Sequence, residues 1–186
     1  MEKLRKSVAA GLILLIGLFA LTSCSRAARP RKPDTASGTG TTQRSRGPLD
    51  VTKVTYLIYS GDMPAVEMYI ITPDLKAVKY SIRPEGEKTY DYLEGELPSE
   101  DLYDITEFGI TDLQWSSIVN VLTRVNFMEL EEDMSTKEII DDGSSYYIKV
   151  ETSDAVNVSG GYCAGYDDDA DSRRFAEAKE MIGNAI

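Results

Sequence analysis

The sequence predicts an α+β fold: one antiparallel sheet in the order βββ-α-ββ-α, with the helices packed on one face. Three observations carry that expectation. Period-2 alternation recurs in three successive segments between Val54 and Ile82, separated by short connections of the kind that join antiparallel neighbours. Helical spacing of apolar residues appears twice, after Thr111 and again after Asp171. Between those helices a second strand pair follows Asp141-Asp142-Gly143.

The elements follow in order. Val54, Tyr56 and Ile58 alternate with Thr55, Leu57 and Tyr59, and the run stops at Ser60-Gly61-Asp62-Met63-Pro64. Val66, Met68 and Ile70 alternate with Glu67, Tyr69 and Ile71 up to Thr72-Pro73-Asp74, where Pro73 suits the second position of a type I turn. Val78, Tyr80 and Ile82 then alternate with Lys79, Ser81 and Arg83 and stop at Pro84. Residues 85–110 form an acidic, tyrosine-bearing connection without a clean period, in which Tyr90, Tyr92 and Leu93 are expected as a short edge strand. Thr111 and Gln114 match a capping box, and Asp112 sits where the helix dipole favours negative charge. Trp115, Ile118, Val119, Leu122 and Val125 then mark one face, with Trp115 expected as a core residue.

Tyr146, Ile148 and Val150 alternate with Tyr147, Lys149 and Glu151, and Ser153-Asp154 turns the chain into Ala155–Val158. Gly160-Gly161 is expected to turn the chain from this last strand toward the last helix. That helix, from about Asp171 to Ile186, carries Phe175, Ala178, Ile182 and Ile186 at helical spacing.

Charge divides the chain. Of 186 residues, the first 49 carry a net +7 and residues 50–186 a net −18. There is no histidine, which removes Ser-His-Asp and Cys-His nucleophile pairs and His-ligated zinc. The acidic balance argues against nucleic acid as a partner, since phosphate contacts need clustered Lys and Arg. Three segments are expected: residues 1–23 as a targeting segment, 24–49 as a basic tether, and 50–186 as one acidic globular domain. The stretch 25–49 is rich in Arg, Pro, Ser, Thr and Gly and almost devoid of large apolar residues. It cannot bury enough surface to offset its ordering entropy, so a disordered spacer is expected.

Lys3, Arg5 and Lys6 precede an apolar run from Val8 to Leu21. As a helix the run would reach roughly 21 Å, short of the ~30 Å bilayer core, so a signal-peptide core fits better than a permanent span. It ends in Leu21-Thr22-Ser23-Cys24, which resembles the lipobox of bacterial lipoproteins. The resemblance implies cleavage after Ser23, lipid attachment at Cys24 and a mature N-terminus there. It further implies anchoring to the outer face of the cell membrane, or to the outer membrane of a Gram-negative cell. The domain layout is similar to that of other small lipoprotein domains in general style only.

Candidate chemistry in the acidic domain is sparse. Asp167, Asp169 and Asp171 are carboxylates at alternate positions, as at the start of a calcium loop. The EF-hand pattern then fails, with Ser172 at its glycine position and Ala178 at its closing glutamate. The same aspartates suit the N-terminus of the last helix, so no firm metal site is assigned. Cys163 has no disulfide partner once Cys24 is acylated, and Tyr162, Ala164 and Gly165 beside it lack a base to activate its thiol. Asn157-Val158-Ser159 fits a glycosylation pattern that a bacterial strand does not use.

No cofactor and no catalytic residue are expected. The leading expectation is a non-enzymatic, lipid-anchored binding or accessory module whose contacts are the membrane, through its lipid, and a cationic protein or peptide surface. A small carboxylate-dependent envelope hydrolase and a structural subunit of a membrane-associated complex are the alternatives.

Overall fold

A computed structural model of the chain describes residues 47–61, 65–84 and 89–186. The signal segment, the lipobox with Cys24 and the tether as far as residue 46 lie outside the described residues. Among the described residues, six strands form one sheet, in the spatial order β4-β3-β2-β1-β5-β6. They are β1 (Val51–Tyr59), β2 (Val66–Thr72), β3 (Lys76–Ile82), β4 (Tyr103–Gly109), β5 (Ser145–Thr152) and β6 (Val156–Tyr162), with α1 (Asp112–Arg124) and α2 (Ala170–Ala185). Every neighbouring pair is antiparallel. The fold is α+β.

The order along the chain differs from the expectation by one strand, ββββ-α-ββ-α. The connection expected to hold an edge strand at Tyr90–Leu93 instead makes a 3-10 turn over Tyr92–Glu94. Asp91 caps that turn by accepting from the Glu94 N–H at 3.1 Å, and Gly95 closes it at φ +85°, a conformation that suits glycine. The edge strand lies further on, at Tyr103–Gly109. This outermost strand packs only Tyr103 and Phe108, near its two ends, against the cores, and its exposed Asp104, Thr106 and Glu107 hid it in an acidic stretch.

The hairpin between β2 and β3 follows the predicted turn. Leu75 N–H donates to the Thr72 carbonyl at 3.1 Å across Pro73-Asp74, and Leu75 itself adopts φ +64°. The capping box of α1 forms from both sides, Gln114 N–H to Thr111 Oγ1 at 3.2 Å and Thr111 N–H to Gln114 Oε1 at 2.8 Å. Leu49, which composition places with the tether, donates its N–H to Thr123 Oγ1 at 3.1 Å and packs against the core.

The sheet is apolar on both faces. On one, Val54, Tyr56, Ile71, Ile148 and Val150 pack with Ile118 and Leu122 of α1 and with Phe175, Ala178 and Ile182 of α2. A bulge between Val51 and Lys53 inserts one residue into β1, which brings Val51 onto this helix-covered face. Trp115 lies partly buried at the margin of this core. The two helices are joined at their ends. Gln114 Nε2 donates to the Ala185 carbonyl at 2.9 Å, and Arg174 on α2 donates to the Val125 and Asn126 carbonyls at 2.5 and 2.8 Å. Those are orphan acceptors at the end of α1, where a cation is also favoured by the dipole.

On the opposite face, Leu57, Val66, Met68 and Ile82 meet Tyr92, with Leu93, Leu97 and Tyr103 packed around them. The long connection therefore serves as the cover of a second core.

Gly160-Gly161, expected as a turn, lies inside β6. A Cβ at Gly160 would collide with the Tyr146 carbonyl and with Tyr147. The residue also sits between strands, with its N–H donated to the Glu132 carbonyl at 3.0 Å and its carbonyl accepting from Met134 N–H at 2.8 Å. Glycine marks close backbone approach here, not chain reversal.

Candidate functional site

The second face holds a groove of about 300 Å³ between the sheet and the turn over Tyr92–Glu94. Its floor follows from register. Thr55 on β1 is paired with Ile70 on one side and Lys149 on the other, and Lys53 with Glu151. Alternation within β5 sends Tyr147, Lys149 and Glu151 to this face while Ile148 and Val150 enter the helix-covered core.

Lys149 is only 8 % exposed. Its ammonium donates to the Leu93 carbonyl at 2.8 Å and to Glu94 Oε1 at 2.9 Å. A buried ammonium is stable only when its donors are used, and here they fasten the roof of the groove to its floor. The hydrogen bond from Lys149, with its charge, holds the Glu94 carboxyl below the usual carboxylate range, and Lys53 adds to the effect. Beside them Lys53 Nζ lies 2.6 Å from Glu151 Oε1. The groove thus offers two ammonium and two carboxylate groups around Met68, Ile70 and Tyr92.

A tyrosine cluster borders it. The Tyr59 ring meets Tyr147 edge-on with centroids 5.9 Å apart and Tyr92 at 6.1 Å, while Tyr90 lies 5.8 Å from Tyr92. Burial, reinforced by Tyr92 and Tyr147, pushes the Tyr59 hydroxyl up to about 12.

The aspartates singled out from sequence lie elsewhere, along a second open pocket of about 280 Å³ with Glu131 and Asp133. Each has its own task. Asp169 is the N-cap of α2, accepting from Asp171 N–H at 2.8 Å and Ser172 N–H at 2.9 Å. The Ser172 bonds hold its carboxyl below the usual range. Asp167 accepts from Thr136 Oγ1 at 2.6 Å, and Asp171 pairs with Arg174 at 2.7 Å. Among the described residues no group of three or more His, Cys, Asp or Glu side chains is placed to hold a metal ion.

Cys163 is half-buried at φ +49°, its N–H donated to the Ser144 carbonyl at 2.9 Å. The fold brings it a basic neighbour that its local sequence lacks. Burial pushes the Lys179 ammonium below its ordinary value, and the nearby Cys163 works in the opposite direction. Lys179 also lies over the Tyr146 ring, 4.2 Å from its centroid. Asn157, of the glycosylation pattern, donates its side-chain amide to the Phe127 carbonyl at 2.9 Å.

The groove residues escaped the sequence because they come together from distant segments, Lys149 lying 56 positions beyond Leu93 and Glu151 lying 98 beyond Lys53. The one local signal was Lys149 itself, a charge inside the aromatic and aliphatic run Tyr146–Val150. Compared with known proteins, the chain matches no protein-family model and no curated sequence. Among the described residues no helix is long and apolar enough to cross a membrane.

Proposed function

We propose that the chain is a lipid-anchored, extracytoplasmic binding module. In this reading Cys24 is acylated, residues 25–49 are a basic spacer, and the acidic domain presents the groove above β1, β2 and β5 to a small ligand. The observation that carries the binding role is the lining of that groove, with ammonium and carboxylate groups of both signs over the apolar surface of Met68 and Ile70. Such a lining suits a compact ligand that bears both charges and an apolar body, because few convergent polar groups over an apolar floor define a small-molecule site.

The same lining speaks against carboxylate hydrolysis there. A general acid needs a raised carboxyl, whereas Glu94 is bonded to Lys149 and held low. Anchoring rests on Leu21-Thr22-Ser23-Cys24 after the charged start and apolar run. Several acyl chains anchor firmly, since each buried CH₂ contributes about 0.8 kcal/mol.

The test has two arms. Membrane-extracted protein analysed by mass spectrometry is expected to begin at an acylated Cys24, and Cys24→Ala to lose the lipid together with cleavage after Ser23. Titration of the full chain with dipeptides is expected to perturb Lys149 and Glu94 amide signals. A Cys24→Ala protein that is fully processed and still membrane-bound overturns the anchor, and dipeptides that leave the groove signals unmoved overturn the binding role.

A further inference from the structure

The two edges of the sheet are treated differently. At β6 the outer edge is occupied. Gly160 exchanges hydrogen bonds with Glu132 and Met134 at 3.0 and 2.8 Å, and Thr136 N–H donates to the Tyr162 carbonyl at 2.9 Å. The segment after α1 runs along that edge in parallel, bridging Asp133 to Gly160. At the other end β4 pairs only with β3 among the described residues.

The register shows which groups β4 leaves open. Arg83 N–H donates to the Leu102 carbonyl at 2.8 Å and Ile110 N–H to the Leu75 carbonyl at 2.9 Å. In an antiparallel ladder the inward-bonding residues alternate with outward-bonding ones. Residues 102 to 110 of even number therefore serve β3, and Tyr103, Ile105, Glu107 and Gly109 turn their N–H and C=O groups outward. Ile105 is 53 % exposed, an aliphatic side chain on a sheet margin. Asp104 and Glu107 flank it, both exposed.

We propose that this edge is a docking site for an extended, cationic segment of a partner protein, which adds as a seventh strand. Its backbone would pair with the four outward residues, an apolar side chain would cover Ile105, and Lys or Arg would face Asp104 and Glu107. Strand addition takes its affinity from main-chain hydrogen bonds and its specificity from alternate side chains. Open edges are otherwise a liability that proteins cover, as this one does at β6. Charge selects the occupant. A second copy would bring Asp104, Glu107 and a domain of net −18 against their like. The chain's own basic stretch 25–46 has no large apolar residue to cover Ile105 and is interrupted by Pro30 and Pro33. The inference goes beyond the groove and does not depend on acylation of Cys24.

The test uses the full chain and a seven-residue threonine peptide with lysine at its third and sixth positions and valine at its fifth, which in antiparallel register along Tyr103–Gly109 sets lysine against Glu107 and Asp104 and valine against Ile105. Amide exchange followed residue by residue is expected to show new protection at Tyr103, Ile105, Glu107 and Gly109, with affinity falling as salt rises. Ile105→Pro removes an outward donor while leaving every β3 bond in place, and is expected to weaken binding about tenfold or more. Glu107→Lys, which leaves the backbone untouched, is expected to weaken it as well. Protection elsewhere, equal binding of the same peptide with glutamate in place of its two lysines, or protection of the same four amides in a dimer without peptide would each overturn the proposal.

Discussion

Lys149 reaches from the middle of β5 to the backbone carbonyl of Leu93, 56 residues earlier in the chain, at 2.8 Å. This bond ties the tyrosine-bearing connection to the sheet and closes the groove between them. Replacing Lys149 by Met keeps most of the side-chain volume but leaves the Leu93 carbonyl unpaired. We expect Lys149→Met to destabilise the protein by about 1–3 kcal/mol, the cost of a buried group without its partner. Amide exchange is expected to accelerate over residues 89–97 more than in β1, β2 or β5, a regional pattern that separates loss of the roof from general loosening.

Two glycines make a matched pair. A Cβ on Gly160 meets the Tyr146 carbonyl and Tyr147, whereas one on Gly183, inside α2, meets nothing within 4 Å. Gly160→Ala is therefore expected to destabilise by about 1–3 kcal/mol through overpacking. Gly183→Ala is expected to stabilise by roughly 0.5–1 kcal/mol, because alanine is the better helix former. Urea unfolding midpoints that move in opposite directions for the two variants are the expected outcome.

Alkaline pH provides a third test. The Tyr59 hydroxyl is raised in the folded protein from 10.0 to about 12, because burial disfavours the phenolate. Its contribution to stability is complete below pH 10 and is lost as pH rises toward 12, since the unfolded chain ionises first. Tyr56 is also raised, by burial first and then by Tyr146, Tyr69 and Glu67, and adds to the same slope. Unfolding midpoints are expected to fall between pH 10 and pH 12, and Tyr59→Phe to flatten that fall.

The N-cap of α2 gives the opposite sign. Asp169 is held below its ordinary value of 3.8 by its bonds to Ser172. Its contribution is present above that value and lost as pH falls through the lower, folded one. Thermal unfolding of Asp169→Ala against the parent is expected to differ at pH 7 and to converge as the pH is taken below 3.8.

The end of α1 offers a purely geometric check. Arg174 supplies donors to two carbonyls, at Val125 and Asn126, and pairs with Asp171. Arg174→Lys keeps the charge but not the fork, so it is expected to recover only part of the stability lost in Arg174→Ala. Equal melting temperatures for Arg174→Lys and the parent would contradict that role.

The sequence by itself determined the elements whose signals are local. Alternation located β1, β2, β3 and β5, since strand period and burial coincide there. Thr111 and Gln114 started α1 because a capping box is complete within four residues. Phe175, Ala178 and Ile182 marked the buried stripe of α2. Only the tertiary structure decided the rest. The strand at Tyr103–Gly109 is set by pairing with β3 and carries no apolar pattern of its own. Gly160 reads as a turn until the segment after α1 is laid against it, and the connection reads as a loop until Lys149 and Met68 are seen beneath it. The reason is physical: edge pairing, close backbone approach and a roof over a sheet face are relations between distant segments, and a hydrogen bond spanning 56 residues leaves no period in the chain.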